Sequence, residues 1–311
     1  MSLHIRPVES ESDYELWREV RLAVMPNERC ATVAELMQLD RPERLLLLAY
    51  LDGKLAGHGL ADRSDEVGRA FVIPRILPAF RRRGVGVALL RVLGEHAAAQ
   101  GFPVTGSMVE DPESLKFALR LGFTETMRQV EQVRRIGSEP WPTLPDGIEI
   151  VSVAQRPELW ARAFTRVAVE TFQDMALTGT FHATAEEWET EWINEPSAMF
   201  LALAEGEVIG LAGLMLDEDR PERAECAYTA VRREWRGKGV AAALKRTSLA
   251  WAAENGLAEV YTWTQNGNED MRRLNEHLGF AYGAVSVSVR APLPLTGLPP
   301  RAESSDRPRP A

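Results

Sequence analysis

Two short stretches combine backbone freedom with positive charge: Arg81-Arg-Arg-Gly84-Val-Gly86 and Arg236-Gly-Lys-Gly239-Val-Ala241. Each leads directly into an Ala/Leu-rich run with helical character, Gly86 to Gln100 and Gly239 to Asn255. Glycines let backbone N–H groups crowd around a ligand, and a helix start adds unpaired donors and the positive end of its dipole. A phosphate is the group that such a turn favours. Neither stretch carries the Gly-x-Gly-x-x-Gly of a dinucleotide fold or the Gly-Lys-Ser/Thr of a Walker loop. The basic residues matter because the chain is otherwise acidic, with 36 Lys and Arg against 45 Asp and Glu and a net charge of -9. That balance repels nucleic acid and anionic membrane, and neither is expected as a partner.

The elements that must hold these turns come in two matching sets. Leu47-Leu-Ala-Tyr-Leu-Asp-Gly53-Lys-Leu-Ala-Gly57 reads like Phe200-Leu-Ala-Leu-Ala-Glu-Gly206-Glu-Val-Ile-Gly210, each a hairpin around an acidic-Gly turn. The Gly-rich turns follow in both halves, and Leu121-Gly-Phe123 then matches Leu278-Gly-Phe280. Order and spacing are kept, so the chain reads as an internal duplication. With 311 residues and 45% hydrophobic content there is enough material for two cores. The expected domains are 1–137 and 148–290, joined by the proline-rich linker 138–147, with 291–311 as a Pro-rich tail without a core of its own.

Helical spacing marks 157–172 and 184–193 in the second half, and 12–24 and 32–39 in the first. After each hairpin the pattern predicts strand, helix, strand, short helix, strand, with 224–231 as one strand and 268–277 as the short helix. Met1 to Asp13 is too charged for a signal core, the run Leu45 to Leu51 is too short to span a membrane, and one cysteine per half (Cys30, Cys226) forms no disulfide framework. A reducing cytoplasm is the expected location.

The strand, turn and helix built on Arg-x-x-Gly-x-Gly/Ala, together with Asn275-Glu-His-Leu-Gly-Phe280 and Ala118-Leu-Arg-Leu-Gly-Phe123, resemble the Gcn5-related N-acetyltransferase (GNAT) superfamily. The resemblance implies an α/β fold of two tandem domains, each a mixed, mostly antiparallel twisted sheet flanked by helices. It implies acetyl-CoA as donor and a primary amine of a small molecule or peptide as acceptor, with direct attack in a ternary complex. A sugar-cysteine amine falls within that class. The cofactor contacts it implies are Val231, Arg236, Gly237, Lys238, Gly239, Val240, Ala241, Asn268 and Asn275, with Arg81, Gly84 and Gly86 in the first half.

The resemblance also points to catalytic residues. Glu225, 11 residues before Arg236, takes the place of a general base, while the first half has Ala70 there. Val231 takes the place of the backbone oxyanion donor. Where many members carry a tyrosine acid this chain has Asn275, which cannot protonate a thiolate, so Tyr228, Tyr261 or water is left for that step. Phe172, Asp174, Phe181 and His182 fall in the region that lines the acceptor site, where an acid suits a cationic amine. The first half, with Pro74 and Pro78 interrupting the strand before its turn, is expected to be a degenerate copy. Five scattered histidines and two cysteines show no metal-ligand spacing, so neither a metal nor a covalent acyl-enzyme is expected. The alternative is a noncatalytic acyl-CoA-binding or interaction protein.

Overall fold

The computed structural model describes residues 2–39, 41–174 and 183–300. Its first half runs β1 (Leu3–Pro7), α1 (Glu11–Val24), α2 (Val33–Gln38), β2 (Leu45–Leu51), β3 (Lys54–Arg63), β4 (Arg69–Ile76), α3 (Val85–Ala99), β5 (Val104–Val109), α4 (Pro112–Arg120) and β6 (Thr124–Arg135). The second half repeats the order with β7 (Ile148–Ser152), α5 (Trp160–Ala163), α6 (Val169–Phe172), α7 (Ala185–Glu191), β8 (Met199–Ala204), β9 (Glu207–Leu216), β10 (Arg223–Cys226), β11 (Ala230–Val231), α8 (Val240–Glu254), β12 (Glu259–Gln265), α9 (Glu269–His277) and β13 (Ala281–Pro292). A π-helical turn, Phe164–Ala168, joins α5 to α6, so the predicted 157–172 helix is continuous but widened in the middle. The opening strands β1 and β7 lie outside the predicted elements; each is only a five-residue piece, too short for its alternation to stand out beside the helix that follows.

The hairpins form as their turns dictate. Asp52 and Gly53 take φ 50° and 77°, and Glu205 and Gly206 take φ 50° and 81°, the pair of positive values that matches the twist of the flanking strands. In each half the strands pair antiparallel except at one place, where β4 runs parallel to β5 and β10 parallel to β12. Helices α3 and α8 pack against those sheets, and Leu89, Leu93 and Leu244 are fully buried there.

The halves are joined through their last strands. The sheet order is β1-β2-β3-β4-β5-β13-β6-β12-β10-β9-β8-β7. Strand β6, from the first half, pairs with β12 from Gln129↔Gln265 to Arg135↔Glu259, while β13, from the second half, pairs with β5 from Val109↔Val287 to Val104↔Pro292. Val287, Val289 and Ala291 of β13 are part of the first-half core, beside Leu89 and Phe123. The expected domain edge at 290 therefore falls inside β13. The described start of the expected tail is not coreless either, since Leu293, Leu295 and Leu298 pack on the first-half core.

Candidate active site

Both Gly-rich turns adopt the same backbone. Gly84 and Gly239 sit at φ 86° and 82°, and two residues earlier Arg82 and Gly237 sit at 62° and 73°. The first arginine of each turn reaches back to its own strand, Arg81 Nε donating to Ile76 O at 3.2 Å and Arg236 Nε to Val231 O at 3.0 Å. These two arginines brace the turns, and Lys238 lies over the Trp235 ring, 4.4 Å from its centre. Side chains cap α1, α2, α4, α7 and α9, namely Ser10, Thr32, Asp111, Thr184 and Asn268. Helices α3 and α8 start at left-handed glycines with no side-chain cap, so their first N–H groups stay available to an anion. That arrangement fits a pyrophosphate.

Next to the second turn the sheet opens. The predicted 224–231 strand is split, with β10 ending at Cys226 and β11 beginning at Ala230. Strands β10 and β12 pair only from Arg223↔Glu259 to Glu225↔Tyr261 and then diverge. The Arg232 N–H donates to Ile209 O at 2.9 Å, so alternation along β11 turns the Val231 N–H away from β9, toward the opening. A backbone donor aimed into a wedge beside an anion site is the geometry that an oxyanion needs.

Glu225 stands at the last paired position before the wedge. Burial pushes its carboxyl up to about 7, and the Tyr261 hydroxyl donates to its Oε2 at 3.2 Å. Tyr261 is fixed from the other half, because the Arg29 backbone N–H donates to its oxygen at 3.0 Å. Arg223 lies over the Tyr261 ring, 4.0 Å from its centre, while pairing with Glu131 and Glu259 at 2.9 and 2.8 Å. Burial, with Glu225 beside it, holds the Tyr261 hydroxyl well above the usual tyrosine range.

Two further carboxylates, Glu28 and Glu110, belong to this cluster without any sequence pattern marking them. Glu28, in the loop between α1 and α2, pairs with Arg21 at 2.7 Å and raises the proton affinity of Glu225 on one side and of Glu110 on the other. Glu110, just past β5, is pushed to about 7 by burial and by the Glu28 carboxyl against it. First-half residues thus reach the second-half wedge, and no local pattern could have paired Glu28 with a residue 197 positions away.

Other expected site residues sit elsewhere. Asn275 is fully buried, and its amide nitrogen donates to Gln132 Oε1 at 2.9 Å and Thr264 Oγ1 at 3.3 Å, which places it between the halves and not on the cofactor face. Asp174 is held by Arg233 and Arg236, both at 2.5 Å, and those guanidinium groups keep its carboxyl at about 2. It ties α6 to the Gly-rich turn and is not free for an amine. Phe172 is a core residue among Phe164, Trp188 and Trp192. The Tyr228 hydroxyl donates to Thr171 Oγ1 at 2.9 Å, and burial raises it to about 12. Asn268 is exposed and caps α9, accepting from the Met271 N–H at 3.4 Å. Phe181 and His182 lie outside the described residues.

The profile of the Acetyltransferase (GNAT) family matches residues 6–123 and 149–280, one match on each half. The chain belongs to the GNAT acetyltransferase family. It is 30% identical to a mycothiol acetyltransferase of Thermomonospora curvata over 258 residues, covering 80% of this chain and 82% of that relative. A mycothiol acetyltransferase of Geodermatophilus obscurus is 28% identical over 258 residues, covering 79% and 82%. Among solved structures, a tandem GNAT protein from the clavulanic acid biosynthesis pathway matches with a TM-score of 0.72 over 94% of this chain and 98% of that one, at 18% identity. A GCN5-related N-acetyltransferase from Sphaerobacter thermophilus gives 0.70 over 93% and 95%, also at 18%. This acetyltransferase therefore has the tandem, mixed and mostly antiparallel architecture that its duplicated motifs imply.

Proposed function

We propose that this GNAT acetyltransferase moves the acetyl group of acetyl-CoA directly to a primary amine, in the wedge between β10–β11 and β12. The observation that carries the reading is Glu225: a carboxyl pushed to about 7, at the last strand pair before the wedge, on the half whose strand splits beside its turn, where the first half keeps β4 unbroken from Arg69 to Ile76. A base of that strength is ionised enough near neutral pH to take the proton of an alkylammonium, directly or through water. The uncapped start of α8 would hold the pyrophosphate, and the Val231 N–H would receive the developing oxyanion. Tyr261 keeps the Glu225 carboxylate oriented, and Glu28 adds negative charge that favours a cationic acceptor. The first half, with Ala70 in place of the base, shapes the acceptor side through its α1–α2 loop.

For the acceptor we favour the cysteinyl amine of a sugar-cysteine conjugate. The relatives named mycothiol acetyltransferase, which align with 79–80% of this chain at 28–30% identity, support it. Steady-state rates with acetyl-CoA and a panel of primary amines that includes such a conjugate test the reading. Glu225→Gln should lower kcat/KM by about 10²–10⁴-fold and remove the limb that rises through pH 7. A pH profile unchanged by the substitution would refute the base assignment.

A further inference from the structure

The wedge has a second face, beneath β10 on the side of α8. A narrow cavity there is lined by Gly213, Cys226, Thr229, Lys245, Val260 and Phe280. Lys245 is 4% exposed, and its Nζ lies 3.7 Å from Cys226 Sγ, the sulfur of the first residue past the last β10–β12 pair. The Phe280 ring sits 5.5 Å from the same nitrogen. No carboxylate among the described residues pairs with Lys245, and the titratable groups nearby are Cys226 and, on the opposite face of β10, Glu225. A lysine buried without a counter-ion is costly, and it persists where the missing anion arrives with a ligand.

The internal duplication supplies the comparison. Aligning the two Gly-rich turns puts Leu90 opposite Lys245, Phe71 opposite Cys226, Pro74 opposite Thr229 and Ala70 opposite Glu225. The half with the base also has the buried cation, and the half without it has an apolar core at the same point. The residue type is informative as well. Only four of the 36 basic residues are lysines, and a lysine can release a proton where an arginine cannot.

We infer that Lys245 is the catalytic acid of the transfer, meeting the CoA sulfur as it departs. This rests on the acyl transfer proposed above. The amine nitrogen forms a bond to the thioester carbon, the C–S bond breaks with its electron pair on sulfur, and Lys245 delivers a proton to that sulfur. Glu225 first relays the ammonium proton to solvent and then receives the second proton, which the nitrogen loses as the amide forms. Return of one proton from Glu225 to solvent and uptake of one by Lys245 restore the starting state. The acid is thereby supplied from the face opposite the base, in a chain whose Asn275 cannot supply it.

The test needs CoA and no acceptor. The thiol of protein-bound CoA is titrated by its thiolate absorbance, with the desulfo-CoA complex as blank to remove Cys30 and Cys226. In the wild type the bound thiol should ionise about 1–3 pH units below free CoA, as beside a fixed positive charge. Lys245→Met should return it to the free value, and Lys245→Arg should keep the shift while lowering kcat. A wild-type thiol that titrates as in free CoA overturns the inference without any variant. The same shift in wild type and Lys245→Met also overturns it. Failure of CoA to bind at all would bring down the cofactor reading beneath it, a result distinct from saturable binding with an unshifted thiol.

Discussion

At the residue scale the molecule keeps a carboxyl where burial works against its ionisation. Glu225 titrates near 7 in the folded chain, against 4.5 for an unhindered glutamate. Between those values the folded state binds more protons than the unfolded state, so this group's contribution to stability falls as pH rises from about 4.5 to 7. Glu225→Gln removes the ionisation. The stability of the variant relative to wild type should therefore increase between pH 5 and pH 8, by about 1–3 kcal/mol. Urea unfolding of both proteins at the two pH values checks this, and a difference independent of pH would mean that Glu225 ionises at little cost. Glu225 was visible in the sequence through its distance from Arg236. Its partners were not, because Tyr261, Glu28 and Arg29 converge on it only once the sheet has formed.

At the element scale, polar residues that look like ligand contacts turn out to join one element to another. Asn275 of α9 was expected at the cofactor through its place before Leu278-Gly-Phe280, yet its amide closes a buried set with Thr264 of β12 and Gln132 of β6. A motif fixes a position on a helix but does not say what that face meets, and here the partner lies 143 residues away. Asn275→Ala should cost about 1–3 kcal/mol by removing the two buried hydrogen bonds that its amide donates to Gln132 and Thr264. Acetyl-CoA affinity, measured by calorimetry, should stay unchanged. Lost affinity with intact stability would return Asn275 to the cofactor. By contrast, the ends of the Gly-rich turns were legible, since positive φ at Gly84 and Gly239 and the lack of a side-chain cap follow from the residue types themselves, whereas the positive φ of Arg82 does not.

At the scale of the whole molecule, the exchange of β6 and β13 decides how the two halves share their stability. Alternation in 280–289 shows that a strand is there and which face is apolar, but it carries no information about which neighbour it pairs with, so the sequence suggested two separable domains. In the structure, β5 has β13 as its neighbour on the side away from β4, and Val287, Val289 and Ala291 complete a core otherwise built from residues 47–123. The α1–α2 side adds ties of its own, with Arg18 on Asp219 at 2.6 Å, Arg41 on Glu187 at 3.4 Å, and the Arg29 Nε donating to Leu216 O at 2.9 Å. Neither half can unfold without exposing apolar surface of the other. Scanning calorimetry of the full chain should accordingly show one transition, with equal calorimetric and van't Hoff enthalpies. A chain ended at residue 280 would lose β13 and the leucines beyond it and leave β5 with an open edge, so its first half should fail to fold although every deleted residue follows α9 in the chain. Two resolved transitions in the full chain, or a cooperative fold for residues 1–137 alone, would show that the exchanged strands are dispensable and that each half is stable by itself.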